Sequence, residues 1–294
     1  MSNWSMVIIF VCLVLTHGNA FAFSPLSVHF FLADIELQDI DGIDEDPIGD
    51  LDDSDWDEIS GVCPAASPEE YWGHNDSGNN AEIVRFNIRG EILQEVELSG
   101  VENRDWEAMT RDSRGNIYIG DFGDNDRKRG TYYIYAFREP SPEDKEISAV
   151  STYRFRYADK RSYNCEAFFF RSGRLYLITK EKNEKRTQVF RIDKLVSGSL
   201  LTAQKVGNFL GEAEITDAAY SPQHNLLAVL TDHYLSFYSV GSEDDLLTEP
   251  GLIIETDFHN SEGLCFDNDH LIITNEKGKI WRYPVELLLQ EWDR

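Results

Sequence analysis

One short unit recurs five times along this chain of 294 residues, and it limits the folds that the chain can adopt. Each copy has a polar or acidic residue, a small residue and an apolar residue, followed by a turn and a second apolar run. The copies begin Ile59-Ser60-Gly61-Val62, Trp106-Glu107-Ala108-Met109, Cys165-Glu166-Ala167-Phe168, Thr216-Asp217-Ala218-Ala219 and Ser261-Glu262-Gly263-Leu264. They are about 45 to 60 residues apart, which is the length of a four-stranded propeller blade with its loops.

Alternating runs rich in aromatic and β-branched residues follow each copy, at the place where a third strand would lie. Such runs favour a strand over a helix. They are Ile83–Phe86, Tyr132–Tyr135, Val189–Ile192, Leu235–Tyr238 and Ile280–Tyr283. The sequence therefore predicts an all-β fold, a five-bladed β-propeller over residues 59–294. A six-bladed ring with one degenerate blade is the alternative.

The last copy lacks an outer strand of its own, because Pro284 follows its third strand. We expect the alternating segment Ser27–Leu37 to supply that strand and close the ring, since closure removes exposed strand edges. Residues 23–58 then form a closing strand plus an acidic linker, as 34–58 contain thirteen Asp or Glu residues. A second calcium loop is the alternative for the linker, although Gly42 breaks the EF-hand pattern.

The first 22 residues differ from the rest, since they carry no charged side chain and include the apolar run Met6–Leu15. With the small-x-small sequence Ala20-Phe21-Ala22 they predict a signal peptide, an uncleaved anchor being the alternative. The protein is therefore expected to be secreted or periplasmic, with no membrane span after signal removal. Its net charge of −26 repels nucleic acid and anionic lipid, so neither is an expected partner.

The second residue of each copy begins the innermost strand of a blade, where equivalent side chains point toward one axis. The predicted axial residues are Ser60, Glu107, Glu166, Asp217 and Glu262. Four carboxylates close together repel one another, and a cation offsets that repulsion. Since all five donors are oxygen atoms, the pattern favours Ca²⁺. A water-filled acidic channel with some carboxyls protonated is the alternative.

Loops that join the second and third strands emerge on the same face as the axial residues. Candidate ligand-binding residues in these loops are His74, Asp76, Asp121, Asp124, Asn125, Arg127, Lys180, Lys182, His233 and Lys277. A basic rim above a bound cation attracts a small anionic ligand such as a phosphate ester, and a protein partner on this top face is the other expectation. Solvated loop residues and turn chemistry are the alternative, and no residue is assigned as catalytic.

Three cysteines remain after signal removal, Cys63, Cys165 and Cys265. No CxxC pair or Cys/His cluster supports zinc or redox chemistry. Cys63 and Cys265 occupy equivalent positions in the first and last copies, which are neighbours in a closed ring. A disulfide between them and a pair of buried thiols are both open.

At these residues the chain resembles two families of five-bladed propellers. One is the calcium-activated nucleotidases (apyrases), and the other is the SdiA-regulated bacterial envelope propellers, whose blades begin with Ser-Gly, Glu-Ala or Glu-Gly pairs. The resemblance covers about residues 57–283, and the axial order fits both families except at Asp217, where Ser is more typical. The strings Asp105-Trp106-Glu107-Ala108-Met109 and Gly120-Asp121-Phe122-Gly123-Asp124-Asn125 are also similar to those of uncharacterised secreted bacterial propellers.

The resemblance implies an axial Ca²⁺ but two different functions. We expect a secreted or periplasmic calcium-binding propeller of the non-catalytic type, which binds a ligand or a protein. The alternative is a Ca-dependent phosphohydrolase acting on nucleotides or phosphate esters, in which the axial calcium would grip a phosphate and orient water. The sequence leaves open whether the protein is an enzyme.

Overall fold

Strands supply nearly all the regular structure of the computed structural model, which describes residues 35–37, 40, 42–182, 187–208, 214–240 and 250–292. The predicted all-β class is therefore confirmed for these residues. The predicted signal peptide lies outside the described residues. No helix in the described part of the chain is long and apolar enough to cross a membrane.

Most of the described strands form five antiparallel units that follow one another along the chain. The first unit contains β3 (Ile59–Pro64), β4 (Glu70–Asn75), β5 (Glu82–Asn87) and β6 (Ile92–Leu98). The second contains β7 (Trp106–Arg111), β8 (Asn116–Asp121), β9 (Tyr132–Arg138) and β11 (Ser151–Tyr157). The third contains β12 (Cys165–Arg171), β13 (Arg174–Thr179), β14 (Gln188–Ile192) and β15 (Leu200–Asn208).

The last two units complete this series. The fourth contains β16 (Ile215–Ser221), β17 (Leu226–Thr231), β18 (Tyr234–Ser239) and β19 (Leu252–Glu255). The fifth contains β20 (Ser261–Asp267), β21 (His270–Asn275) and β22 (Lys279–Pro284), and a short helix, α1 (Val285–Gln290), follows it. Every third strand predicted from the alternating runs is confirmed as a strand.

The innermost strands of the five units form a ring. Each of β3, β7, β12 and β16 contacts the innermost strand of the next unit, and β20 contacts β3. Five apolar clusters fill the spaces between neighbouring units; one of them joins Trp72 of β4 to Trp106 of β7. Burying one such large side chain stabilises the fold by about 2 to 3 kcal/mol. The arrangement is consistent with a β-propeller.

Extra pairings cover the outer edges of the first four units. The outer strands β11 and β15 pair with each other in parallel, which joins the second and third units into one eight-stranded sheet. Two short strands, β10 (Glu146–Ile147) and β1 (Ile35–Glu36), pair in parallel with β6 and β19. Covered edges of this kind cannot template pairing with another chain.

A strand from the N-terminal side does pair with the fifth unit, but it is not the predicted Ser27–Leu37. The pairing strand is β2 (Gly49–Asp50), which lies antiparallel to β22. Residues 27–34 lie outside the described residues, and Ile35 pairs with Ile254 of the fourth unit. The apolar side chain of Leu37 is buried in the cluster between the fourth and fifth units, so the described end of this segment belongs to the edge of the fourth unit.

A glycine at position 49 allows β2 to lie close to the backbone of the first unit. A Cβ on Gly49 would overlap the backbone of Ile88, so only glycine permits this approach to the first unit. Backbone hydrogen bonds flank the short strand, from Ile48 N to Ile280 O at 2.8 Å and from Asp50 N to Arg89 O at 3.2 Å. The closing strand therefore ties the fifth unit to the first.

The three described cysteines are all free and buried. Cys63 lies in the cluster between the first and second units, whereas Cys265 lies in the cluster between the fifth and first. The suggested disulfide between them is therefore not formed, because the two side chains lie on opposite faces of the first unit.

Candidate metal centre

Each innermost strand begins with the same irregularity. The antiparallel register slips by one residue near the start of all five strands, which leaves one unpaired residue in each. The unpaired residues are Ser60, Glu107, Glu166, Thr216 and Glu262. A β-bulge of this kind redirects the side chain of the extra residue away from the pleated alternation. The repeat thus places one polar side chain per unit at the same end of the ring.

The residue after the bulge is small where the neighbouring strand comes close. A Cβ on Gly61 would lie 2.7 Å from Met109 N and 2.6 Å from His74 Nε2, so no larger residue fits without displacing backbone. The same position is Ala108 in the second unit and Ala167 in the third. The glycine at this position in the first and fifth units therefore reflects close packing of adjacent inner strands, since a Cβ on Gly263 would also lie 3.0 Å from Val62.

Asp217 does not occupy the axial position that the sequence repeat assigned to it. In the fourth unit the unpaired residue is Thr216, because Ile215 pairs with Thr231 and Asp217 pairs with Leu230. Both carboxylate oxygens of Asp217 instead accept backbone hydrogen bonds of 2.7 Å, from the N–H groups of Ala218 and Leu264. The predicted position is one residue out of register, and Asp217 links the fourth inner strand to the fifth.

Three of the unpaired residues bring carboxylates together. One oxygen atom from each of Glu107, Glu166 and Glu262 lies within 4.8 Å of the other two. The Ser60 hydroxyl lies 3.2 Å from Glu262 Oε2 and 3.0 Å from the backbone oxygen of Glu107. Glu107 and Glu166 are buried, with 3% and 4% of their surfaces exposed. We call these three glutamates the axial group.

A second acidic group shares Glu107 with the axial group. Oxygen atoms of Asp76, Asp105 and Glu107 also lie within 4.8 Å of one another. Gly123 lies against this group, since a Cβ there would overlap Glu107 Oε1 and the carboxylate of Asp105. Asp105 was not predicted as a site residue; it lies just before β7, two residues from Glu107, and its closeness to Glu107 in the sequence was the available signal.

Crowding changes the acidity of these carboxyls. Burial, together with the neighbouring Glu166, raises the pKa of Glu107 well above its usual value. Burial raises the pKa of Glu262 to about 8 even though the Lys180 ammonium opposes the shift, and burial raises that of Asp76 to about 6. Each shift shows that the ionised form is disfavoured in this environment unless a cation is close.

Lys180 places its positively charged ammonium group beside the axial group. Its Nζ lies 3.5 Å from Glu166 Oε2 and 3.9 Å from Glu262 Oε1, and these carboxylates raise its pKa. Asn164 Nδ2 donates a 2.6 Å hydrogen bond to Glu166 Oε1. Lys180 was predicted to bind an anion, but in the described geometry it faces carboxylates.

Two predicted ligand-binding residues hold the loop after β8. Asp121 is fully buried and pairs with Arg129 at 2.8 Å, while Tyr135 donates to its other oxygen. Asp124 accepts hydrogen bonds from the backbone N–H of Arg129 at 2.9 Å and from the Tyr132 hydroxyl at 2.9 Å. Both aspartates therefore have a structural role. Their contacts fix the loop that carries Gly123.

The remaining predicted ligand-binding residues do not join either acidic group. His74 is fully buried, and burial lowers its pKa to about 4, so it is neutral at pH 7. Arg127 pairs with Glu181 at 2.7 Å. Four others lie at the surface, and they are Asn125, Lys182, His233 and Lys277.

The donor set of the two acidic groups fits a hard cation. Carboxylates and the Ser60 hydroxyl offer only oxygen atoms, which Ca²⁺ prefers. Two ligands on opposite sides of a calcium ion are about 4.8 Å apart, because each Ca–O distance is about 2.4 Å. The fold and the site together define an all-β, propeller-like protein with an acidic centre at one end of its ring.

Comparison with known proteins does not narrow this class. No family model and no curated protein matches the chain. A chain in the crystal structure of a nidogen/laminin complex is similar, at 11% identity and a TM-score of 0.47, over 79% of this chain and 77% of that one. The designed Ika8 protein is similar at 12% identity and a TM-score of 0.36, over 82% of this chain and 74% of its own. Neither likeness assigns a family or a function, and the resemblance to calcium-activated nucleotidases and SdiA-regulated propellers stays a prediction.

Proposed function

We propose that the protein is a five-bladed, calcium-binding β-propeller that acts outside the cytoplasm as a non-catalytic module for a ligand or a protein. Each antiparallel unit is then one blade, and β2 supplies the outer strand of the fifth. The ring of inner strands, which closes from β20 to β3, supports this count. The charge-free segment with a small-x-small site at residues 1–22 supports secretion.

The convergence of three carboxylates from three inner strands carries the calcium proposal. Glu107, Glu166 and Glu262 lie far apart in sequence, yet their oxygen atoms fall within 4.8 Å of one another. Their mutual repulsion disfavours the metal-free state in which all three are ionised. Among the ion pairs described, Lys180 is the one ammonium that offsets this repulsion. A divalent cation would offset the remaining charge. Ser60 is placed to contribute a hydroxyl ligand.

Calcium in this position would stabilise the ring rather than perform chemistry. Ligands from the first, second, third and fifth units would be drawn to one ion, so binding would oppose separation of the blades. The top face around the acidic groups would then present a ligand or protein surface. The surface residues Asn125, Lys182, His233 and Lys277 are the candidates for contact with that partner.

The phosphohydrolase alternative has no specific observation in its favour. Its developing negative charge would require basic residues beside the metal. Lys180 and Arg127 are both engaged by glutamates, and Arg129 is engaged by Asp121. We therefore propose the binding module and not the enzyme.

Thermal unfolding with and without calcium tests the proposal. After treatment with a chelator, added Ca²⁺ at a hundredfold excess over its Kd should stabilise the fold by about 2.7 kcal/mol. For a domain of this size that raises the Tm by about 5 to 10 °C. Glu107→Gln should abolish most of the rise, because it removes a carboxylate shared by both acidic groups.

Glu143→Gln is the matched control, since Glu143 is an exposed glutamate in the loop between β9 and β10. It should respond to calcium like the unaltered protein. An equal Tm with and without Ca²⁺, together with no calcium in elemental analysis of the purified protein, would refute the calcium site.

A further inference from the structure

A second candidate binding site lies at the opposite end of the ring from the acidic groups. A cavity of about 970 Å³ is lined by the last residues of all five inner strands and by the turns that follow them. The glutamates of the axial group stand at the beginnings of the same strands, so the strands separate the two sites. The volume is within the range of about 300 to 1,000 Å³ that is typical of small-molecule sites. We call this space the lower cavity.

Aromatic side chains occupy equivalent positions around the lower cavity. The fourth residue after the bulge is Phe170, Tyr220 and Phe266 in three successive units, and each is only partly buried. Phe170 packs against Tyr118 with 4.4 Å between ring centroids, and Tyr220 stacks under the Arg171 guanidinium at 5.7 Å. Because packing fixes these rings in place, the apolar part of a ligand can pack on them at low entropic cost.

The lower cavity is less acidic than the rest of the molecule. The chain has 53 acidic and 27 basic residues, but the charged residues that line this cavity are three arginines and two aspartates. Asp112 forms an ion pair with Arg114 at 3.3 Å, which cancels one charge of each sign, and Asp267 accepts a hydrogen bond from the Tyr71 hydroxyl. Their charge is therefore partly compensated within the protein.

Arg111 occupies the fourth position after the bulge in the second unit, where three other units carry an aromatic ring. It pairs with Glu139 at 2.6 Å, while its buried Nε has no hydrogen-bond partner. Arginine in a partly desolvated site recognises carboxylate, sulfonate and phosphate groups through its fixed set of N–H donors.

From the cavity, the rings and the arginines we infer that the lower cavity binds a small organic anion with an aromatic or apolar body. The anionic group lies toward Arg111 and Arg171, and the body packs on the rings of the third to fifth units. The inference does not depend on calcium, because no residue of the axial group lines the lower cavity.

Two fluorescent probes with the same aromatic body test this inference. One is 1-anilinonaphthalene-8-sulfonate, which is an anion, and the other is N-phenyl-1-naphthylamine, which lacks the sulfonate. The folded protein should bind one equivalent of the sulfonate about tenfold more tightly than the neutral probe, in the presence of either calcium or chelator. Absence of saturable binding of the sulfonate, or equal affinity for both probes, would overturn the inference.

Paired variants locate the binding. Ser113 is exposed at the mouth of the lower cavity, whereas Ser197 is an exposed turn residue that does not line it. Ser113→Trp should weaken binding of the sulfonate about tenfold or more, and Ser197→Trp should leave it unchanged. Arg111→Gln should weaken the sulfonate but not the neutral probe. Equal binding by the unaltered protein and Ser113→Trp would place the probe elsewhere and refute the site.

Discussion

At the scale of single residues, the buried carboxyls make the stability of the metal-free protein depend on pH. The pKa of Glu262 is about 8 in the folded state and 4.5 in a model peptide. The folded state therefore holds this proton more tightly than the unfolded chain does, and the resulting stabilisation is lost as the pH rises toward 8. His74 has the opposite sign, but its effect is confined to pH values below 6.5, because burial lowers its pKa to about 4.

Between pH 6.5 and 8, Glu262 alone should lower the free energy of unfolding in chelator by up to about 2 kcal/mol. Urea unfolding at several pH values measures this slope. Glu262→Gln should reduce the slope by the share of Glu262, because the amide does not titrate, while Glu107, whose pKa burial also raises, keeps its own share. The exposed control Glu143→Gln should keep the full slope. Calcium should also flatten it, since a bound cation holds the carboxylates ionised. An unchanged slope in Glu262→Gln would contradict the assignment.

At the scale of strands, the bulges decide which side chains reach the axial group and which hold the ring together. Asp217 follows the bulge and joins two inner strands through the N–H groups of Ala218 and Leu264. Asp217→Ala should lower the free energy of unfolding by about 2 to 4 kcal/mol, because two buried N–H donors lose their acceptor. The calcium-induced rise in Tm should persist.

Asp126→Ala is the control for that variant, since Asp126 is exposed and forms an ion pair with the exposed Lys128. Its stability should change by less than about 0.5 kcal/mol. Calorimetry of both variants with and without calcium gives the two quantities. If Asp217→Ala lost the calcium response while still folded, Asp217 would be a ligand after all.

The strands were predictable from the sequence because their signal is local, whereas the bulges were not. Alternating runs such as Tyr132–Tyr135 report a half-buried strand directly. A bulge adds one residue without a characteristic composition, and Thr216-Asp217 offers a polar side chain at both possible positions. The residue that the bulge leaves unpaired therefore coincides with the polar residue of the repeat where a single polar residue stands before a small one, as at Glu107, and precedes it by one residue in the fourth unit.

The closing strand escaped prediction for a related reason. β2 has two residues, Gly49 and Asp50, and lies in an acidic segment with no alternation. Its place is set by partners remote in sequence, chiefly β22 and the backbone of Arg89. The longer alternating segment Ser27–Leu37 gave a stronger local signal, although its described end pairs with the fourth unit.

At the scale of the whole molecule, ring closure depends on that short strand. A variant that lacks residues 1–57 loses β1 and β2, which leaves the outer edges of β19 and β22 unpaired. We expect it to form oligomers and to unfold at a Tm several degrees lower, because exposed strand edges pair with other chains. Light scattering coupled to size-exclusion chromatography measures the first effect.

A variant that lacks only residues 1–22 is the control, and it should keep the mass of the unaltered protein. Calcium should still bind to the shorter variant if it folds, because the axial glutamates all lie after residue 58. A monomer of unchanged Tm after removal of residues 1–57 would show that β2 is dispensable for closure.

The position of β2 in the chain also sets the order of events during synthesis. Asp50 and its partner Lys279 are 229 residues apart, so a ribosome completes the first four units before the fifth can receive its outer strand. The nascent protein must therefore keep this short early segment available while four units form beside it. Folding of the complete ring is then a late event that follows release of almost the whole chain, and a stalled or shortened product would carry an open seam recognisable to chaperones and proteases.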